Sequence, residues 1–266
     1  MGHINFTMIR FHLTASGGED VDEDLLNGLI AVQTTVRQHF GWDYQDDLTS
    51  AICMSEMMNY ATPFDVEGWS PNNRVRSLNS LKQVLLSAKN VAVVGASVCK
   101  SDIDELISED SVIIAADGSV GAVIGLPNLV CVVTDFDGNP HLDFAANSDV
   151  VFVAHAHGDN FERWQKSLAQ WSYLEHPPKL ILTHQVNESI EGMENFGGFT
   201  DGDRAVCLVL ALGVHRHNIS LVGFSTTSIG EWSGQTNPVR KLEKLEWMVK
   251  ILQMLELSEQ VETNAS

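Results

Sequence analysis

Six short apolar runs constrain this chain more than any other feature: VAVVGAS, SVIIAADG, LVCVVTDFDG, DVVFVAHAHGDN, KLILTHQ and ISLVGFS. Each is rich in β-branched residues and stops abruptly in small or polar ones. Continuous apolar character, rather than alternation, is what a strand needs when both faces of its sheet are covered, and that condition belongs to parallel sheets. Parallel neighbours require crossovers, and helical segments at Lys100 to Glu109, Asn160 to Tyr173 and Asp201 to Arg216 lie between the runs. The expected class is therefore α/β: a Rossmann-like, doubly wound, mostly parallel sheet with an N-terminal helical region. That region comes from helical spacing in DLLNGLIAVQTTVRQHF, DLTSAICMSEMMNY and SLNSLKQVLLSAK, with ATPFDVEGWSPNN as a loop or lid between the second and third. The expected division is residues 1–90 as the helical region and 91–266 as the Rossmann-like domain, ending in a helix from about Pro238 to Leu257.

Charge narrows the partners. With 35 acidic and 16 basic residues the formal charge is −19, which repels nucleic-acid phosphates and anionic membrane faces. No nucleic acid and no membrane are expected as partners, and homo-oligomerisation is left open. Cys53, Cys99, Cys131 and Cys207 form no CxxC pair and sit among apolar neighbours, as reduced packing residues do. The N-terminus lacks a basic segment followed by an apolar one, and the longest apolar stretch, Ala205 to Leu212, is far short of the ~18 residues that cross a bilayer. The expected location is the cytoplasm.

In doubly wound sheets ligands bind beyond the carboxyl ends of the strands, and nearly every run here ends in residues able to do chemistry. Asp135 and Asp137, two apart before Gly138, can both reach one hard cation; the plainer reading is a loop with a helix cap and an Asx turn. Asp117-Gly118 can add a third carboxylate or bind a ribose hydroxyl, or form a simple Asp-Gly turn. His155, His157, Asp159 and Asn160 in HAHGDN resemble a zinc-hydrolase HxHxDH pattern, but Asn160 replaces its last histidine and the βαβ order is wrong for that fold. The other reading makes the histidines phosphate or substrate ligands, with Asp159 or Asn160 capping a helix. In the stretch from Asn195 to Arg204, free amides at a helix N-terminus favour phosphate and Arg204 can neutralise its oxygens, while Thr200 and Asp201 can simply cap the helix. GASVCKS has no P-loop spacing, so Gly95 and Ser97 are a weak signal alone.

Taken together, GAS at 95–97, ADG at 116–118, TDFDG at 134–138, HAHGDN at 155–160, NFGGFTDGDRA at 195–205 and LVGF at 221–224 resemble the archaeal 6-hydroxymethyl-7,8-dihydropterin pyrophosphokinases. That family is related in fold to the thiamin pyrophosphokinases, from which this chain departs where Gly138 stands in place of serine. The resemblance covers most of the chain. It implies a diphosphotransferase that uses ATP and Mg2+ on a reduced pterin, giving AMP and pterin diphosphate on a route to methanopterin or folate-type cofactors. On that basis Asp117, Asp135 and Asp137 are expected at the metal, and His155, His157 and Arg204 at the phosphates, one histidine taking the hydroxyl proton. Gly95, Ser97, Asp117, Thr134, Thr200 and Asp203 are expected around the nucleotide. Asp159, Asn160, Gln185, Asn195 and Phe199 are expected around the pterin, with Trp232 closing over it. Two rival readings stand beside this one: a nucleotide-sugar glycosyltransferase using the Asp-x-Asp, and a non-catalytic nucleotide-binding module.

Overall fold

A computed structural model describes residues 23–106, 110–234 and 237–263; the N-terminal segment read above for targeting lies outside them. Helices α1 (Glu23–Phe40), α2 (Tyr44–Met58) and α3 (Pro71–Ser87) lead into β1 (Asn90–Val94). There follow α4 (Lys100–Leu106), β2 (Ser111–Ala116), α5 (Val120–Val123), β3 (Leu129–Thr134), α6 (His141–Ala145), β4 (Val151–Ala156), α7 (Phe161–Trp171), β5 (Lys179–His184), α8 (Asp201–Ala211), β6 (Ile219–Val222) and α9 (Pro238–Met254). The six strands are those expected from the apolar runs.

All pairings are parallel, in the order β5-β4-β3-β2-β1-β6. The chain steps in one direction from β1 to β5, and α8 then carries it back to β6 on the far side of β1. Right-handed crossovers place α4 to α7 on one face and α8 on the other. Residues alternate between the faces accordingly. Ala92, Val94, Ile113 and Ala115 pack with Leu142, Trp164 and Leu168, whereas Val91, Val93, Ile114 and Val133 pack with Val206, Val209, Ile251 and Leu252. The N-terminal helices divide between these cores. Ala51, Met54 and Met58 of α2 enter the first, while Leu29 and Val36 of α1 and Leu81 and Leu85 of α3 enter the second.

Helix α3 begins at Pro71 rather than at the expected Ser77, because proline is well suited to a first helical position, where its missing N–H costs nothing. The preceding stretch, expected as a loop or lid, is pinned: Trp69 is fully buried and its indole N–H donates to the Pro178 carbonyl at 2.7 Å.

Both sheet edges are covered by single residues. Beside β5, Glu194 exchanges backbone hydrogen bonds with Leu182 (2.9 Å) and His184 (3.0 Å). Beside β6, the Gln260 side chain accepts from the Leu221 N–H at 2.8 Å and donates to the Ile219 carbonyl at 3.2 Å.

Trp171 ties the core to the strand-end turns. Its ring lies 4.7 Å from Phe152 and 5.6 Å from Phe136, centroid to centroid, and its N–H donates to Asp143 at 2.7 Å. Phe136, the middle residue of Asp-Phe-Asp, has a φ of 70° and is buried, so its side chain anchors the turn in the core. Trp171→Ala is expected to cost about 3–5 kcal/mol in urea unfolding, since it empties a space walled by aromatic rings.

Candidate active site at the carboxyl ends of the strands

Two turns meet beyond β2 and β3. Asp117 follows β2 with a φ of 50° and is buried; its Oδ1 accepts from Thr134 Oγ1 at 2.5 Å, and that oxygen in turn accepts from the Phe136 N–H at 2.8 Å. Thr134 therefore positions Asp117. The close meeting of the turns explains Gly138: a Cβ there would collide with the Gly118 backbone and lie 2.6 Å from Asp117 Oδ2.

Asp117, Asp135 and Asp201 each present a carboxylate oxygen to one point, with the three oxygens within 4.8 Å of one another. Asp137 lines the same cavity but is not in this group. Asp201 enters from the start of α8, where capping alone was one reading for it. The cap falls instead to Thr200 and Asp203: Asp203 accepts from the Thr200 N–H and hydroxyl at 2.5 and 2.6 Å and from the Phe199 N–H at 3.0 Å. Asp203 is thus committed to the helix start and does not line the cavity, whereas Thr200, Gly95 and Ser97 do.

The charges there are poorly balanced. Burial pushes the Asp117 carboxyl well above the usual range, reinforced by Asp137, Asp201 and Asp135. Burial and the neighbouring Asp135 do the same to Asp201. Burial would also raise Asp135, but the His157 hydrogen bond and the Arg204 guanidinium hold it well below the carboxylate range. Arg204 Nη1 lies 3.1 Å from Asp201 and 4.0 Å from Asp135. Asp135 Oδ1 is buried without a hydrogen-bond partner among the described residues. An orphaned carboxylate oxygen, beside two carboxyls destabilised by mutual repulsion, fits a bound cation. The residues can hold one.

The histidines act behind this front. His157 Nδ1 accepts from the Asp159 N–H at 3.2 Å, so the proton resides on Nε2, which donates to Asp135 at 3.2 Å. His155 is buried, which holds its pKa well below the ordinary value; its nitrogens face Thr183 Oγ1 at 3.0 Å and Gln185 Oε1 at 3.4 Å. Both nitrogens of each ring meet protein partners, His157 through Asp135 and the Asp159 N–H, His155 through Thr183 and Gln185. Gln185 Oε1 also accepts from Arg204 Nη2 at 2.9 Å, while its Nε2 donates to Asp47 at 2.9 Å. Asp47 is held by Arg37 Nε at 2.9 Å and by the Gly158 N–H at 2.8 Å. A buried chain of contacts thus runs from α1 and α2 to the guanidinium at the carboxylates.

Of the other residues expected at the pterin, Asn160 is fully buried and its amide donates to the Asp135 and His155 carbonyls at 3.0 and 2.6 Å. Asn195 bonds Gln33, and Phe199 stacks with Phe40 at 5.9 Å. Only Asp159 is open to solvent. Phe199 and Trp232 both line the carboxylate cavity. The sequence reading missed Lys241 and Lys244 of α9, which face the acidic residues across this cavity of about 100 Å³. Burial lowers the Lys244 pKa, partly opposed by Asp135. Their spacing of three in RKLEK, on a chain this short of basic residues, was a readable signal.

His184 gives a stability test nearby. Burial lowers its pKa from 6.5 to about 4, while its Nδ1 accepts from the Val186 N–H at 3.2 Å. Between those values the unfolded chain takes up a proton that the folded chain does not, so this residue costs stability as pH falls. His184→Asn, whose Oδ1 can replace Nδ1, is expected to reduce the stability lost between pH 7 and pH 5 by about 2 kcal/mol, read from urea melts at both pH values.

Among the described residues no helix is long and apolar enough to cross a membrane. No protein-family model matches the chain. It is similar to proteins named 6-hydroxymethyl-7,8-dihydropterin pyrophosphokinase from three organisms. With that of Pyrococcus furiosus it is 40% identical over 128 residues, 47% of this chain and 51% of the relative. With that of Methanothermobacter thermautotrophicus it is 36% identical over 165 residues, 56% of this chain and 65% of the relative. With that of Methanocaldococcus jannaschii it is 26% identical over 243 residues, 83% of this chain and 91% of the relative. The first match thus spans about half of its relative's length, and the third nearly all of it. By sequence, the chain is similar to proteins named 6-hydroxymethyl-7,8-dihydropterin pyrophosphokinase, along half to nine-tenths of their length.

Proposed function

We propose that this protein transfers a diphosphate group from ATP to the hydroxymethyl group of 6-hydroxymethyl-7,8-dihydropterin, with Mg2+ as the metal. The observation that carries the reading is the convergence of Asp117, Asp135 and Asp201 opposite Arg204, Lys241 and Lys244 at the carboxyl ends of a parallel sheet. Carboxylates that can share a hard cation, faced by cations that can take phosphate oxygens, suit a metal-bound triphosphate. The names of the relatives supply the pterin.

In the proposed reaction the pterin hydroxyl oxygen bonds to the β-phosphorus of ATP and the bond from that phosphorus to the α,β-bridging oxygen breaks. AMP leaves with that oxygen, and the γ-phosphoryl group stays attached to the transferred β group. Bound at the three carboxylates, Mg2+ would neutralise phosphate charge as it develops. Arg204 meets equatorial oxygens with a fork already fixed by Asp201 and Gln185. Lys241 and Lys244 bring positive charge to the tail of the triphosphate in a chain otherwise hostile to it. His157 holds Asp135 in orientation, and the hydroxyl proton is released to solvent as the bond to phosphorus forms.

The test incubates protein, MgATP and the pterin and separates products by chromatography with mass detection. AMP and pterin diphosphate in equal amounts are expected; ADP with a monophosphorylated pterin, or no pterin-dependent product, would overturn the reading. Adding Mg2+ or Mn2+ alone is expected to raise the melting temperature, by several degrees at concentrations well above Kd, because the cation relieves repulsion present only in the folded state.

A further inference from the structure

A second cavity, of about 230 Å³, opens on the other side of His157 and is lined by Trp42, Asp43, Asp46, Asp47, His157 and Asp159. We infer that this cavity, rather than the residues around Phe199 and Asn195, receives the reduced pterin; the inference rests on the function proposed above. Charge sorts the two substrates. The first cavity carries Lys241 and Lys244 and suits a polyphosphate, while the second carries aspartates and repels one. A 7,8-dihydropterin is the reverse of ATP in this respect: uncharged, flat and rich in donors, with the ring N3–H and exocyclic 2-amino group side by side and an N8–H on the second ring. A carboxylate accepts a neighbouring pair of donors through its two oxygens.

The aspartates that can do so are identifiable. Asp47 is committed to Arg37, Gln185 and the Gly158 N–H, and Asp43 accepts from the Gln45 N–H at 2.9 Å as the cap of α2. Asp46 and Asp159 are exposed, and their carboxylates have no hydrogen bond or ion pair with any described residue. The wall opposite offers an aromatic surface. Trp42 is stacked on Phe40 at 4.8 Å, with Lys244 Nζ 5.3 Å from its ring centroid, and its indole N–H is buried without an acceptor among the described residues. Its volume, below the roughly 300–1,000 Å³ of drug-sized sites, suits one bicyclic ring. Placement completes the argument. His157 lines this cavity and bonds Asp135, which lines the other, so a hydroxymethyl group emerging past His157 arrives at the carboxylates and the phosphate.

The test measures the affinity of 6-hydroxymethyl-7,8-dihydropterin by calorimetry in the presence of Mg2+ and α,β-methylene-ATP, which cannot be cleaved, together with KM for each substrate during turnover. Asp46→Asn, Asp159→Asn, their combination and Trp42→Phe all change groups at the cavity wall, and circular dichroism checks the fold of each. The double variant is expected to lose at least about 10-fold in pterin affinity while KM for ATP stays within about twofold. Unchanged pterin affinity in all four variants, or no pterin binding by the unaltered protein, would overturn the assignment. A changed metal requirement without a change in pterin affinity would also overturn it, making the cavity a cation site. Pterin binding lost in the variants but without diphosphate formation by the unaltered protein would uphold this site and remove the transfer reaction; product formation with unaffected variants would do the reverse.

Discussion

Asp135→Asn is expected to lower turnover by roughly 10³-fold, about 4 kcal/mol of transition-state stabilisation, without lowering the stability of the metal-free protein. The two effects separate because Asp135 sits between partners of opposite kinds. Asn Oδ1 can still accept from His157 Nε2, so the local hydrogen bond persists. Loss of the charge relieves Asp117 and Asp201, whose carboxyls are pushed up in part by Asp135. The melting temperature without metal should therefore hold or rise, while the rise on adding Mg2+ disappears. Turnover within about tenfold of the parent, or an undiminished response to Mg2+, would remove Asp135 from the metal.

Arg204→Gln is expected to lower kcat by about 10²–10³-fold with a smaller change in KM for ATP, because a fixed guanidinium fork matters most as phosphoryl charge redistributes. This variant, unlike the first, should also be less stable, by about 3 kcal/mol at neutral pH, since it leaves Asp201 and Asp135 without their buried cation. The pH dependence identifies the cause. Asp201 already has a raised pKa, and without Arg204 it rises further, so the folded state gains a proton before the unfolded state does. Stability lost at neutral pH should return on acidification toward the new Asp201 pKa. A deficit equal at all pH values would point to lost packing instead.

The sequence was most informative where chemistry and backbone coincide. Six strands were readable because a doubly covered parallel strand must be apolar throughout, and Asp117, Asp135 and the cavity glycines were readable because they follow those strands directly. Asp201 was ambiguous because one sequence position at a helix start serves a cap and a cation equally well; only the placement of Thr200 and Asp203 separates the roles. Lys244 and Trp42 lie far along the chain from the strand ends, and nothing local shows that α9 and the α1–α2 corner fold over them. For the histidines identity was legible but direction was not: a ring at a strand end can point outward to a ligand or inward to Gln185, and both spellings are HAH. Gln185 itself, expected at the pterin, joins Asp47 to Arg204 through contacts separated by 138 residues in one direction and 19 in the other.

The residues at the two sheet edges limit how this molecule can grow. A parallel sheet exposes on each flank a row of groups able to accept a strand from another copy, which is the usual starting point for edge-to-edge aggregation. Here Glu194 takes the groups of Leu182 and His184 on one flank, and Gln260 takes those of Leu221 and Ile219 on the other. Each caps part of its edge with a single residue, and among the described residues the sheet is six strands wide. An association between copies through helix faces would leave the line of strand ends that carries the carboxylates unchanged in number and spacing.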